Sequence, residues 1–393
     1  MDGVLLTTGG TGSFGHTVLK RFLDSGVEEI RIFSRDEKKQ DEMRKRYASP
    51  KLKFYIGDVQ DLRSLGAVGS RGRLLLPCRG TEGGAVVRVP PHGGGPHQCP
   101  RHGERSHFGR RVRQCYSVHS PVYMEKRAEA RGERWMQRLC LQATGCVLHR
   151  VENRCVEEAH TVTADSDYTR ALIGSVYGPK LEAKTVVVPG WVDMRRFAIV
   201  ADRAASKSAL GWPTDVPVLF TLRRFVPRMG LDRFLRALKL VQEAGFRFYA
   251  VIAGEGRLRE GLEGLMRELG LAERVSFPGR IPDALLPTMY AAADAFVLPT
   301  VELECFGLIA LESLACGRPV LATPIGAIPE VVGRFEPRWL ARDATADSLA
   351  QHLIRFLDGQ LPGHEPQALR ATVERWYSRE TVLKRLVQVA FGE

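Results

Sequence analysis

Glu304 and Glu312 stand eight positions apart in the stretch "ECFGLIALE". The apolar run "AFVLPT" just before them has the length of a buried strand, and "GLIALESLACG" has helical spacing. One carboxylate therefore precedes a Gly-bearing loop, and the other lies about two turns into a helix. Carboxylates accept hydrogen bonds from vicinal hydroxyls. The intervening Cys305, Phe306, Gly307 and Leu308 would present backbone N–H groups at a helix start, where phosphate is favoured.

A second constellation lies at the other end of the chain. Gly9, Gly12 and Gly15 form G-x-x-G-x-x-G between the apolar run "GVLLTT" and the helical "FGHTVLKRFL". Glycines so placed permit a tight turn and let backbone N–H groups approach a pyrophosphate at a helix N-terminus. Ser34 and Arg35 follow the next apolar run, where a ribose phosphate would sit. Asp58 and Val59 follow the third and could bracket an adenine. Arg35 reads equally well as solvated surface. Cys99, His102, His107 and Cys115 have the residue types of a zinc site, but no strand or helix frames them, so they read as accidental ligands.

The elements that must carry these residues fall into unequal parts. At 393 residues the chain predicts two or three domains, and its 44% hydrophobic and 26% charged content fits a globular protein with a sizeable core. Residues 1–65 predict β-α-β-α-β through "GVLLTTGG", "TGSFGHTVLKRFLDSG", "EEIRIFSRD", "QDEMRKRYA" and "KLKFYIGDV". Residues 66–117 keep neither period and are rich in Arg, Gly, Pro, His and Cys. They read as a disordered basic linker or as GC-rich DNA translated out of frame, the second being favoured. Residues 118–197 regain order, with "RVENRCVEEAHTVTADSDYTRALIG" predicted helical and "AKTVVVPG" a strand. From 198 to 393, strands such as "VPVLFTL", "FRFYAVIAG" and "AFVLPT" alternate with helices such as "LDRFLRALKLVQEAG", predicting a second parallel sheet.

The net charge of +12 suggests a nucleic-acid partner at first sight. Most of the excess lies within residues 66–150, away from any predicted groove, so no nucleic acid is expected. No apolar run is long enough to span a bilayer, and no basic segment precedes the first apolar one. A cytoplasmic protein is expected, with peripheral contact at the inner face of the membrane.

Two resemblances sharpen these readings. "TGGTGSFG", "RIFSRDEKKQDEMRKRY" and "KLKFYIGDVQD" resemble the nucleotide-sugar 4,6-dehydratases of polysaccharide biosynthesis, which are extended short-chain dehydrogenases/reductases. That resemblance implies an NAD(P) site at Gly9, Gly12, Gly15, Ser34, Arg35, Asp58 and Val59. It also implies a Tyr-x-x-x-Lys pair, but the match at Tyr47 and Lys51 falls too early, so dehydratase chemistry is not expected.

The larger resemblance runs through "VVVPGWVDMRRF", "LFTLRRFVPRMGLDRF", "VIAGEGRLREGLEGL" and "ELECFGLIALESLACGRPVLATPIGAIPE". These resemble the retaining glycosyltransferases of the GT-B fold that carry a Glu-x7-Glu motif. The fold class so implied is α/β, with Rossmann-like parallel sheets. A GT-B-type C-terminal domain would follow a truncated Rossmann fragment. The resemblance implies a UDP- or GDP-sugar donor, a glycan or lipid-linked acceptor, and no required cofactor or metal.

Glu304 would then meet the donor sugar hydroxyls and Glu312 the ribose, with Cys305, Phe306, Gly307 and Leu308 on the diphosphate. Cations must balance the leaving diphosphate. Arg224 matches the family's arginine, while Arg223 stands where glycine is common. Met229 replaces a usual Lys, with Arg228 beside it to substitute. Gly254, Gly256 and Arg280 would lie near the nucleotide.

The family has two facing Rossmann-like domains, and only residues 118–197 resemble part of the first. "VLLTTGGTGSFGHTVLKRFL" could stand in for its first strand, loop and helix, but the strands that should intervene have no visible counterpart. A glycosyltransferase impaired by that loss is the expectation. The alternatives are an NAD(P)-dependent nucleotide-sugar dehydratase/epimerase and an inactive chimera that only binds nucleotide.

Overall fold

In the computed structural model the described residues are 4–8, 19–20, 23, 29–34, 36–56, 72–77, 115–118, 157 and 161–391. Their strands are short apolar or β-branched runs, as parallel sheets covered on both faces require. β1 (Val4–Thr8), β2 (Glu29–Ser34), β3 (Leu52–Ile56) and β4 (Gly72–Pro77) form a parallel sheet in the order β3-β2-β1-β4. Helix α1 (Glu37–Tyr47) starts where the Asp36 side chain accepts from the Lys39 N–H. Its buried Gln40 donates to the carbonyls of Ser34 and Tyr55 at 3.0 and 2.8 Å, tying the ends of β2 and β3 together.

β5 (Cys115–Val118), β6 (Thr161–Ala164) and β7 (Thr185–Val187) form a second parallel sheet, in chain order. Between β6 and β7 lie α2 (Asp167–Tyr177) and α3 (Pro179–Lys184). Two expectations need correction. Thr161–Ala164 is strand rather than helix, because Thr161, Val162 and Thr163 are β-branched and the strand pairs with both neighbours, Val162 and Thr163 on both sides. The segment 66–117, expected to be irregular, supplies β4 and most of β5; the apolar run Leu74–Leu76 pairs with Leu5–Thr7 of β1.

β4 also runs close beside β5, so the two sheets abut in the order β3-β2-β1-β4-β5-β6-β7. The strands that seemed to lack a counterpart are thus provided by β2, β3 and β4. Of the segment "VLLTTGGTGSFGHTVLKRFL", only Val4–Thr8, Leu19 and Lys20 are described.

The C-terminal half follows α4 (Arg203–Ala209). It contains β8 (Val218–Leu222), α5 (Leu231–Glu243), β9 (Tyr249–Ala253), α6 (Arg259–Glu268), β10 (Val275–Gly279) and α7 (Leu286–Ala292). β11 (Ala295–Leu298), α8 (Leu308–Ala315), β12 (Val320–Ala322) and α9 (Ile328–Val331) come next. The helices α10 (Ala346–Leu357), α11 (Pro366–Tyr377) and α12 (Arg379–Phe391) close the chain.

The five strands pair in parallel in the order β10-β9-β8-β11-β12. α5 buries Leu231, Phe234, Leu235, Leu238 and Val241, a stripe at helical spacing that packs against α10. Each such side chain stabilises by roughly 1.5–3 kcal/mol relative to exposure. At the centre, the Tyr290 ring lies 5.2 Å from those of both Phe220 and Phe296.

Candidate functional site

The C-terminal sheet reverses its strand order between β8 and β11. Chains leaving such neighbours diverge, opening a crevice beyond their carboxyl ends where ligands of open α/β sheets bind. Arg223 leaves β8 there, and Thr300 and Glu304 leave β11. Although 81 residues apart, Arg223 Nη2 and Glu304 Oε2 form a 2.7 Å ion pair. The same nitrogen donates to the Thr300 hydroxyl. Arg223 and Thr300 are buried, and the Glu304 side chain keeps 13% of its exposure.

The carbonyl of Glu304 is held by the Ala327 N–H at 2.8 Å. The next carbonyl, of Cys305, accepts from the Ser166 hydroxyl at 2.6 Å. Gly307 ends the loop at φ 79° and serves as the N-cap of α8, a left-handed position where a side chain would be strained. The helix offers its first N–H groups to the crevice side of this loop without a side-chain cap.

Glu312 lies on α8, where the Tyr290 hydroxyl donates to its Oε2 at 2.8 Å. Burial, then the adjacent Glu312 charge, pushes the Tyr290 phenol well above its ordinary pKa, so the phenol remains a donor. A neutral, immobile donor on one oxygen orients the carboxylate.

The loop after β9 completes the floor. Arg223 N–H donates to the Ala253 carbonyl at 2.9 Å and Phe225 N–H to Glu255 at 2.8 Å. A Cβ on Gly254 would fall 1.8 Å from the Arg223 carbonyl oxygen, so only glycine permits this approach. Gly256 also packs closely, where a Cβ would fall 2.6 Å from the Phe225 carbonyl oxygen.

The structure thus brings Arg223, Gly254, Glu304 and the loop Cys305–Leu308 to the reversal point. Phe306 is buried, its ring 6.0 Å from that of Tyr377, so what it offers the crevice is backbone. Cys305 is partly buried and forms no disulfide. Arg224 and Arg280 are exposed. Arg228 donates from Nη1 to the Leu303 carbonyl at 2.8 Å, and Met229 is packed in the core.

At the N-terminal site, Gly9, Gly12, Gly15, Arg35, Asp58 and Val59 lie outside the described residues, as do Cys99, His102 and His107. Ser34 sits at the end of β2, where its hydroxyl accepts from the Asp36 N–H at 3.2 Å.

Sequence reasoning missed four contributors. Thr300 and Tyr290 have no local signal for their partners, which are 77 and 22 residues away. Ser166 likewise has its partner, the Cys305 carbonyl, 139 residues away. Glu330, in "TPIGAIPE", accepts from the N–H groups of Asp167 and Tyr168 at 2.8 and 2.6 Å, joining α2 of the N-terminal part to α9.

Residues 202–376 match the family of glycosyl transferases group 1. The C-terminal region is thus similar to the group 1 glycosyl transferases. Residues 5–72 match a different family, described as polysaccharide biosynthesis protein. The group 1 region is accompanied by 36% identity over 191 residues to a GDP-mannose-dependent alpha-(1-6)-phosphatidylinositol monomannoside mannosyltransferase of Mycolicibacterium smegmatis. That match covers 47% of this chain and 48% of the relative, so the chain spans about half the length of the curated relatives it matches.

The first residues are 61% identical over 69 residues to a UDP-glucose 4-epimerase of Rickettsia rickettsii, covering 16% of this chain and 20% of that one. In fold, the whole chain is similar to the Anabaena protein HepE solved with UDP-glucose. The TM-score is 0.70 at 15% identity, covering 98% of each chain. The chain therefore has the α/β fold of this GT-B structure.

Proposed function

We propose that this chain is a retaining glycosyltransferase that moves a sugar from a UDP- or GDP-sugar to a glycan or lipid-linked acceptor. The observation that carries the reading is the pair of oriented carboxylates, Glu304 and Glu312, flanking an uncapped helix start at the strand-order reversal.

Glu312, held by Tyr290, accepts from the ribose hydroxyls. Glu304 accepts from donor sugar hydroxyls. The N–H groups from Cys305 to Leu308 receive the diphosphate, and Arg224 and Arg228 counter its growing charge as the C1–O bond breaks. Gly254, Gly256 and Arg280 line the nucleotide end.

The acceptor hydroxyl attacks C1 on the face the phosphate leaves, and its proton passes to the departing phosphate oxygen. No protein nucleophile or cofactor enters this scheme. NAD(P) at the N-terminal glycines belongs to the dehydratase/epimerase alternative.

Among the described residues, no helix is long and apolar enough to cross a membrane. A peripheral contact at the inner membrane face is supported by a groove of about 540 Å³ between Lys20 and α12. It combines Arg379 and Lys384 with Leu383 and Val387. The division into residues 1–65, 66–117, 118–197 and 198–393 enters this reading as one of sequence origin.

Calorimetric titration of the full chain with UDP-glucose, GDP-mannose and NADP tests the proposal. A nucleotide sugar should bind, and Glu312→Ala should weaken it by on the order of 1–3 kcal/mol, since the ribose loses a charged acceptor. Binding of NADP without either sugar nucleotide would replace this reading with the dehydratase/epimerase one. Binding without slow donor hydrolysis or transfer would leave an inactive nucleotide binder.

A further inference from the structure

Arg223 is a large cation beside the carboxylate assigned to the donor sugar, at a position where the resembled family commonly has glycine. We propose that Arg223 is a positioning residue that decides which donor-sugar hydroxyl Glu304 reads, an inference that rests on the glycosyl-transfer reading above. Arg223 does so by occupying one oxygen of the carboxylate and leaving the other to the sugar.

The guanidinium is built in. Its side chain keeps 6% exposure, and Nη2 bridges the Thr300 hydroxyl and Glu304 Oε2. Thr300 is fully buried, and its carbonyl accepts from the Thr323 hydroxyl at 2.5 Å, so the anchor is itself fixed. Arg223 Nε is buried with no hydrogen-bond partner, which leaves the Nη2 contacts to hold the head group in place. On the backbone side, the Arg223 N–H is tied to Ala253, and Gly254 closes against its carbonyl.

A carboxylate with both oxygens free can bridge two adjacent hydroxyls. With Oε2 drawn to Arg223, Glu304 offers Oε1 and accepts strongly from a single hydroxyl. The site then discriminates epimers at the carbon it reads and tolerates inversion at the neighbouring carbon. Loss of Arg223 frees Oε2, so the carboxylate can bridge the vicinal pair. Discrimination should change while the rest of the nucleotide, held by the α8 loop and Glu312, binds as before.

The test is calorimetric titration of the full chain and of Arg223→Gln, Arg223→Ala and Arg223→Lys. The probes are UDP, GDP and two epimeric pairs, UDP-glucose with UDP-galactose and GDP-glucose with GDP-mannose. The expected result is a change of about five- to tenfold in the affinity ratio of at least one epimeric pair in the Gln and Ala variants, the scale of one hydrogen bond. The Kd for UDP or GDP should stay within about twofold, and Lys, which keeps the charge on Oε2, should restore most of the ratio.

If the free nucleotide and both sugars of each pair weaken by one common factor, Arg223 is only a structural prop and the inference fails. It fails equally if no epimer ratio moves. If the unaltered chain binds none of the six probes, the glycosyl-transfer reading falls and takes this inference with it. Should Arg223→Ala not fold, Arg223→Gln, which keeps most of the volume, carries the comparison alone.

Discussion

The two halves of the molecule use the same parallel α/β architecture but are closed differently. In the C-terminal half, five strands are hydrogen-bonded neighbours in one sheet, and a single buried cluster runs from Val192 to Tyr377. Among the described residues of the N-terminal half, seven strands are divided into sheets of four and three that abut at β4 and β5 without forming a ladder. The break falls near where the match to the polysaccharide biosynthesis family ends, at residue 72. The order β3-β2-β1-β4 is that of dinucleotide folds, an architecture that hosts many unrelated functions. Backbone architecture is interchangeable in this way, whereas the paired side chains of the crevice belong to one half.

The largest test of this contrast is to separate the halves. A fragment of residues 188–391 should unfold in one cooperative calorimetric transition, because its core is nearly all its own. Residues 1–187 should show no such transition. A cooperative melt of the N-terminal fragment would mean that the junction at β4 and β5 is as tight as a true ladder.

Met229→Lys probes how fully the C-terminal half is committed to packing. Met229 is 6% exposed in the core, so the ammonium that the resembled family carries here would be buried. It should cost on the order of 2–4 kcal/mol in denaturant unfolding, rather than tighten donor binding. Tighter UDP-sugar binding with unchanged stability would show that the side chain reaches the crevice.

Glu330→Ala cuts one of the contacts between the halves. It removes the acceptor for the Asp167 and Tyr168 N–H groups at the start of α2. A loss of roughly 1–2 kcal/mol is expected, as for other helix N-terminal caps. Hydrogen exchange should accelerate at α2 and at the Cys305 loop. Faster exchange at α2 alone would mean that Ser166 holds the loop without help.

The smallest effect concerns pH. Hydrogen bonds from the Arg338 side chain hold the Glu336 carboxyl down at about 2, against an ordinary 4.5. A depressed carboxyl stabilises the fold fully above its unfolded value, and that contribution is lost as pH falls from about 4.5 through about 2. Glu336→Gln should therefore flatten the acid limb of stability in that window and leave the neutral-pH melting of the N-terminal half unchanged. An acid limb of the same slope would assign acid unfolding elsewhere.

Much of this was legible in the residues. The apolar runs and their Gly or Pro borders placed most strands of the C-terminal sheet, and "ECFGLIALE" placed two carboxylates around a helix start. Those signals are short-ranged, because side-chain period and turn geometry depend on a few neighbouring residues. They failed at Thr161–Ala164, read as helix until its pairing with β5 and β7 was seen, and at Gly72–Pro77, hidden in a composition unlike its surroundings.

By itself, then, the sequence determined the α/β class, the glycines that close turns and the eight-residue spacing of Glu304 and Glu312. Only the tertiary structure decided the strand order that sets Arg223 against Glu304 and Tyr290 under Glu312, and the apposition of β4 with β5. The physical reason is that these partners meet across neighbouring strands and helices. Which elements become neighbours is fixed by the packing of the whole sheet and not by local propensity.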